Sequence, residues 1–229
     1  YTAVGAATTA YDLDGNLLST PDPAGTTTYT YNADNRLISS SDPAGTWNYE
    51  YDVLGDRVAT VHDGVRTEYL VDPTGLGDVV AEYTGGGGLV ARYTIGLGLT
   101  SRIDAAGAAA YYNFDALGST AQLTGSNGAV LNNYSYLPFG EPLSSVEGLP
   151  NPFQFVGQFG VMRAGNGLDF MRARYYEPAQ GRFLSRDPLG LTAGTNLYTY
   201  VANAPLTLID PSGLSEEIPE LQVQIPRPG

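Results

Sequence analysis

The chain has 229 residues, 42% of them hydrophobic, and a formal net charge of −13 at pH 7. This is enough apolar sequence to bury one large core or two smaller ones, and the acidic balance excludes nucleic acid as an expected partner. The absence of Cys, with His62 as the single His, excludes disulfides and thiol nucleophiles and leaves no basis for a His triad, a metal site or a cofactor-binding motif. The 29 Gly, 15 Pro and 17 Tyr predict a mainly β fold with frequent turns.

Residues 1–5 resemble neither a signal peptide nor a natural start, so we expect the chain to be a piece of a longer protein. No stretch approaches the roughly 18 consecutive apolar residues that indicate a membrane span.

The first repeating element follows at Tyr11, and it recurs at Tyr31 and Tyr51 with a step of 20 residues. Each copy joins alternating aromatic residues to a turn rich in Asp, Asn and Gly, which predicts one β-hairpin per unit.

Looser copies of the unit continue to about residue 119, and the four glycines at residues 85–88 are predicted to form a hairpin tip. Hairpins of this kind must stack on their neighbours to bury their apolar face. The repeat fades around residues 134–142, and a connector rich in Pro, Ser and Gly runs to about Pro152. We therefore divide the chain into a repeat sheet (1–150), a different unit that holds much of the Arg (151–214) and a tail (215–229).

The unit at 151–214 has a distinctive order of motifs: Phe155-Val156-Gly157-Gln158, then residues 167–178 (GLDFMRARYYEP), 181–191 (GRFLSRDPLGL), 196–205 (NLYTYVANAP) and 210–214 (DPSGL). Together with the Tyr-Asp repeats, this order resembles the RHS (rearrangement hotspot) and YD-repeat proteins and their RHS repeat-associated core. Two positions depart from the usual pattern: Glu177 stands where the family usually has Asp, and Ala204 where a second Asn is common.

The resemblance implies a spiralling antiparallel sheet that forms the end of a hollow YD shell, as in teneurins, closed by a mixed, mostly β core or plug domain. In toxin-complex components, polymorphic toxins and wall-associated proteins, such shells enclose a C-terminal passenger and cut it free after the final Asp-Pro-x-Gly-Leu. The resemblance thus implies a secreted or cell-surface protein whose partners are its own passenger and the upstream repeats. The implied cut lies between Leu214 and Ser215.

Peptide hydrolysis without a Ser-His pair, Cys or a metal leaves paired carboxylates as the chemistry to consider. One carboxylate would activate water, while the other, protonated, would polarise the scissile carbonyl. Asp187 and Asp210 are the candidates, and Arg174 is the candidate that orients them.

Simpler interpretations stay open. Asp-Pro-x-Gly is also a strong type I turn, and the sequence repeats it at Asp22, Asp42 and Asp72. In a second interpretation, Arg172, Arg174 and Arg182 pair with Asp169 and Glu177 as a purely structural network. The alternative function is a structural or adhesive module without proteolysis, and a third is sugar binding on exposed Tyr and Trp47.

Within the core, residues 175–176 and 198–200 are predicted as strands, and Leu221, Val223 and Ile225 as one face of a strand in the tail.

Overall fold

The computed structural model describes residues 8–22, 24–74, 77–164 and 166–219. A single sheet of fourteen antiparallel strands, paired in sequence order, dominates this part of the chain. It is an open sheet, with β1 and β14 at its two edges. The strands are β1 Ala10–Tyr11, β2 Leu17–Asp22, β3 Gly25–Tyr31, β4 Leu37–Asp42, β5 Gly45–Tyr51, β6 Arg57–His62, β7 Val65–Asp72, β8 Asp78–Thr84, β9 Leu89–Ile95, β10 Leu99–Asp104, β11 Ala109–Phe114, β12 Thr120–Gly125, β13 Val130–Tyr136 and β14 Pro142–Glu147.

The three tyrosines of the 20-residue step occupy equivalent positions. Tyr11, Tyr31 and Tyr51 each end a strand, and each follows an irregularity in the pairing with the next strand. The residue after each tyrosine, Asp or Asn, closes the turn, because its side-chain oxygen accepts the backbone N–H four residues later at 2.8–3.0 Å. This local bond explains why the repeat needs an Asx side chain after Tyr. The predicted mainly β, hairpin-repeat fold is confirmed.

The C-terminal segment, residues 148–219, contains a second, four-stranded antiparallel sheet. Its strands are short because Gly, Pro and tight turns interrupt them every few residues. They are β15 Met162–Arg163, β16 Asp169–Met171, β17 Arg174–Glu177 and β18 Arg182–Phe183. Three short 3₁₀ helices at Gly157–Phe159, Gly190–Ala193 and Val201–Asn203 complete the segment.

One face of the large sheet packs against this segment. Alternate residues of β5 show the pattern, since Trp47 and Tyr49 are buried while Asn48 and Glu50 are exposed. Tyr49 lies 4.8 Å, ring centre to ring centre, from Tyr175 of β17. Such aromatic contacts add to the burial of apolar surface between the two sheets. Because Trp47 is buried and its ring stacks on His62, it is not the exposed residue that the sugar-binding interpretation needs.

The C-terminal segment also covers one rim of the sheet. The turns on that rim carry Gly98, Gly118 and Gly140, all with positive φ, and the glycines lie directly beneath side chains of the segment. An added Cβ at Gly140 would come within 2.6 Å of the Phe155 ring, and one at Gly118 would collide with Phe159. Glycine is therefore required at these turns both by backbone conformation and by close approach.

The connector, residues 198–200 and the tail were each given a structure from the sequence. The connector is shorter than predicted, because Pro142–Glu147 forms β14. The strand predicted at residues 198–200 is wrong: these residues form a turn in which the Asn196 side chain accepts the Tyr198 N–H, with one isolated bridge between Thr199 and Arg182. The strand predicted in the tail (Leu221, Val223, Ile225) lies outside the described residues. Among the described residues, no helix is long and apolar enough to cross a membrane.

Candidate functional site

The hairpin of β16 and β17 is hydrogen-bonded to the loop that contains Asp-Pro-Ser-Gly-Leu. Its tip, residues 172–174, donates hydrogen bonds to three consecutive carbonyl oxygens of the loop, residues 211–213. The bonds run from Arg172 Nη1 to Pro211 at 2.7 Å, from the Ala173 N–H to Ser212 at 3.1 Å, and from Arg174 Nε to Gly213 at 2.5 Å. Each of the three residues before Leu214 is thus held through its carbonyl oxygen by the hairpin tip.

The three residues proposed from the sequence as an acid-and-base site lie together in the structure. Arg174 Nη2 is 2.7 Å from Asp187 Oδ2 and 3.6 Å from Asp210 Oδ2. All three side chains are buried, and the guanidinium lies over the Phe183 ring at 3.6 Å from its centre. Burial lowers the pKa of Arg174, while the two carboxylates oppose that shift. Arg174 therefore brings two carboxylates together at one largely buried site beside its bond to the loop.

Asp210 contacts the Leu214–Ser215 peptide bond directly. Its Oδ1 accepts the N–H groups of Leu214 and Ser215, each at 3.1 Å, and the hydroxyl of Ser212 at 3.0 Å. Burial raises the pKa of the Asp210 carboxyl, and the bonds from Ser212 and Ser215 and the charge of Arg174 oppose the increase. Asp210 thus contacts the nitrogen of the Leu214–Ser215 bond as a hydrogen-bond acceptor, while burial favours the protonated form of its carboxyl.

Asp187 is fixed by the turn that follows β18. Its Oδ1 accepts the Leu189 N–H at 2.8 Å, and its own N–H donates to the Leu197 carbonyl at 2.9 Å. These bonds leave Oδ2 facing Arg174. The turn thus presents one carboxylate oxygen to the site while the other is occupied by the backbone.

The site opens into a cleft of about 580 Å³. Asp187, Asp210 and Arg174 line it, together with both residues of the Leu214–Ser215 bond. Residues 201–203 also line the cleft, and they are three successive non-glycine residues with positive φ of 40°, 49° and 61°. Left-handed backbone of this kind costs free energy and is commonly retained at functional sites. The cleft provides space for water beside the peptide bond.

Arg172 and Asp169 have partners other than those that the structural network proposed from the sequence assigns to them. Arg172 pairs with Asp78 of the large sheet at 2.8 Å, and Asp169 pairs with Arg163 at 3.4 Å. Arg182 does lie opposite Glu177, on the adjacent strand. Glu177, one of the two departures from the family pattern, is not among the residues that line the cleft. No local sequence pattern indicates the partners of Arg172, since positions 78 and 211 are far away along the chain.

Comparison with known proteins bears on the repeats. A profile described as RHS Repeat matches residues 11–46 and again residues 31–68, so that each match starts on a tyrosine of the 20-residue step. Residues 11–68 of the chain therefore carry RHS repeats. Among the described residues of this RHS-repeat chain, no group of three or more His, Asp or Glu side chains is arranged to hold a metal ion.

Curated relatives are much longer than this chain. The RHS-repeat chain is 37% identical over 107 residues to toxin protein Tse5 of Pseudomonas aeruginosa, an alignment that covers 46% of this chain. It is 32% identical over 121 residues to double-stranded DNA deaminase toxin A of Burkholderia cenocepacia, which covers 49% of this chain. The chain spans 8% of each of these two proteins.

Among solved structures, the Tc holotoxin pore of Photorhabdus luminescens contains a chain with a similar fold. The TM-score is 0.68 at 21% sequence identity, and the match covers 91% of the RHS-repeat chain and 11% of the other. The likeness therefore extends through both the large sheet and the C-terminal segment. At this identity it establishes the fold, which is that of a segment of a Tc toxin protein.

Proposed function

We propose that this chain is the closing end of an RHS/YD-repeat shell that encloses a C-terminal passenger, and that it cuts itself once, after Leu214. The two curated relatives described above are toxins, of which this chain spans only a small part. The large sheet carries a covered face and a covered rim, as the closed end of a shell requires. Residues 151–214 are the proposed plug and autoprotease, and the passenger would follow from Ser215.

The observation that carries the proteolytic part is the contact of Asp210 with the proposed scissile bond. Asp210 Oδ1 lies 3.1 Å from the nitrogen of Ser215, which is the leaving group when this bond breaks. The raised pKa of this carboxyl favours the protonated form that a general acid needs. We assign to Asp210 the protonation of the leaving nitrogen.

Asp187 is then the general base. In the proposed reaction, a water molecule in the cleft attacks the Leu214 carbonyl carbon and gives one proton to Asp187. The C–N bond breaks as Asp210 transfers its proton to the Ser215 nitrogen, leaving a Leu214 carboxylic acid, which then ionises to solvent, and a Ser215 amine. Asp187 ends protonated and Asp210 ionised, which suffices for a single turnover. Arg174 orients the carboxylates, through its ion pair with Asp187, and the substrate, through its bond to the Gly213 carbonyl.

The alternative is a structural or adhesive module in which Asp210 only closes a turn. One observation supports it: Asp42, in the same Asp-Pro-x-Gly motif between β4 and β5, also accepts backbone N–H groups through Oδ1, at 2.7 and 3.1 Å. Asp210 differs from Asp42 in being buried and in sharing Arg174 with a second carboxylate. That difference favours the proteolytic function.

The proposal includes partners and a location. The partners are the passenger, held after Leu214, and the upstream repeats of the same shell, which would continue the sheet beyond β1. The protein would act as a secreted or cell-surface component, as its resemblance to RHS/YD-repeat proteins implies. No cofactor enters the proposed reaction.

Intact-mass measurement of the complete chain tests the proposal. We expect the wild-type chain to yield fragments 1–214 and 215–229, and Asp187→Asn to keep the chain in one piece with an unchanged circular dichroism spectrum. Asn retains the shape of Asp187 and its bond to the Leu189 N–H but cannot accept the proton of water. An intact wild-type chain would leave the structural module as the better account.

A further inference from the structure

Arg172 joins the cleavage loop to the large sheet. Its Nη1 donates to the Pro211 carbonyl at 2.7 Å, and its Nη2 donates to Asp78 Oδ1 and to the Phe159 carbonyl, both at 2.8 Å. The side chain is 12% exposed. One guanidinium therefore links three separate parts of the chain, and its ion pair is largely shielded from water.

The surroundings of this ion pair leave no room for other side chains. Gly160, with φ +81°, lies against it, and an added Cβ there would be 2.5 Å from Arg172 Nη2 and 2.7 Å from Asp78 Oδ1. Arg172 itself has a positive φ of 51°. A non-glycine residue in this conformation needs compensation from its surroundings, which the three hydrogen bonds of its side chain provide.

Asp78 belongs to the sheet and not to the C-terminal segment. It is the first residue of β8, where it pairs with Asp72 of β7, and it is 94 positions from Arg172 in the sequence. The Asp78–Arg172 pair can therefore form only after β7 and β8 have assembled and the C-terminal segment has docked. Arg172 is also attracted by Asp56 and by Glu217, which lies beyond the proposed scissile bond.

We infer that Arg172 is a positioning residue that makes self-cleavage depend on the assembled sheet: Asp78 holds Arg172, and Arg172 holds the loop in the geometry that Asp210 and Asp187 need. This inference rests on the proposed function and adds to it a control over when cleavage occurs. A chain whose sheet is incomplete at β8 lacks the anchor for Arg172. Its loop is then not held for cleavage, and the passenger stays attached until the sheet is complete.

The first test compares cleavage rates of the complete chain made by pulse-labelled cell-free synthesis. Asp78→Asn should slow cleavage about tenfold, because it removes the charge from a shielded hydrogen bond. Asp78→Glu, which restores the charge, should recover most of the rate. Glu50→Gln is the matched control: it removes a carboxylate that pairs with Arg66 on the same sheet, away from the loop, and should leave the rate unchanged.

The comparison is made at a temperature at which all variants are fully folded, so that a loss of stability does not alter the rate. If Asp78→Asn is cut at the wild-type rate, the inference is overturned. The same holds if Glu50→Gln slows cleavage as much as Asp78→Asn does. A double variant, Asp78→Asn with Arg172→Gln, should be no slower than Arg172→Gln alone, because both changes act through one contact. If the double variant is instead slowed by the product of the two single effects, the two residues do not act through one contact.

The second test does not depend on cleavage. In the Asp187→Asn background, Asp78→Asn should speed amide hydrogen exchange of residues 212–215 about tenfold, because the loop has lost an anchor. Unchanged exchange would overturn the positioning role even if cleavage slowed. If the wild-type chain is never cut, the proposed function fails, and exchange measured in the wild-type background still decides whether Arg172 positions the loop.

Discussion

Replacement of Asp210 by Asn separates the chemical role of this residue from its role in the turn. Asn has nearly the shape of Asp, and its side-chain oxygen can still accept the N–H groups of Leu214 and Ser215, which Asp210 binds at 3.1 Å. What it loses is the proton that we assign to the leaving nitrogen. Loss of general acid catalysis typically costs about 100- to 10,000-fold in rate, or roughly 3–5 kcal/mol of activation free energy.

The same substitution should not weaken the fold at neutral pH. Burial raises the pKa of Asp210 above its value in the unfolded chain, so between those two pKa values the folded chain binds more protons than the unfolded chain. The contribution of Asp210 to stability is therefore full at low pH and is lost as the pH rises through the folded-state pKa. Asn removes this pH-dependent loss, so we expect the variant to be at least as stable as the wild type.

The assay is intact-mass analysis over time, beside thermal unfolding of the same samples. Asp42→Asn is the matched control, since Asp42 begins the same Asp-Pro-x-Gly turn, with the same type of backbone bond, away from Arg174. It should be cut at the wild-type rate. Cleavage of Asp210→Asn after Leu214 at the wild-type rate would refute the acid role, and loss of its folded structure would show that Asp210 acts mainly in the turn.

Four further predictions follow from the site. The cleavage rate should fall as the pH rises through the raised pKa of Asp210, because the acid is then ionised; a pH–rate profile without this decrease would contradict the assignment. Arg174→Lys should slow cleavage about tenfold in single-turnover measurements, because Lys keeps the charge but not the planar fork; an unchanged rate would count against the orienting role. After cleavage, the fragment from Ser215 should co-elute with the rest in native gel filtration and separate in urea, since Glu217 and Ile209 exchange two backbone bonds of 2.7 and 2.9 Å; immediate separation would show that these bonds are too weak. Deletion of residues 151–214 should give insoluble protein because it exposes the apolar face of the sheet, and a soluble, monodisperse product would contradict the plug role.

The fold was predictable because its signals are local. Alternating aromatics and an Asx-containing turn at Tyr11, Tyr31 and Tyr51 define a hairpin within about 20 residues, and hairpins that share one apolar face have few ways to bury it other than as neighbours in a sheet. The same reasoning failed at residues 198–200, where aromatics also alternate. There, Tyr200 is buried against Tyr176 at 4.4 Å between ring centres, and the left-handed residues 201–203 end any extended backbone.

The candidate site was predictable only in part. Asp187, Asp210 and Arg174 came from the order of motifs in the C-terminal unit, and the structure brings one oxygen of each Asp within 4 Å of Arg174 Nη2. The hydrogen bonds from the 172–174 hairpin tip to the loop were not predictable, because they join segments about 40 residues apart. The Asp78–Arg172 pair, which spans 94 residues, has no local pattern at all.

The difference between Asp42 and Asp210 explains why we propose a second role for one of two similar turns. In both turns the Asp side chain accepts backbone N–H groups, which alone stabilises the conformation. At Asp42 the turn joins two strands of the sheet at its rim, where water screens the charge. At Asp210 the turn is buried beside Arg174 and Asp187, so the ionised form of its carboxyl loses hydration and its pKa rises. The proposed chemistry thus depends on the docking of the turn into the core, and in a chain that has not folded there the same Asp-Pro-Ser-Gly-Leu sequence would lack the site that we propose for its cleavage.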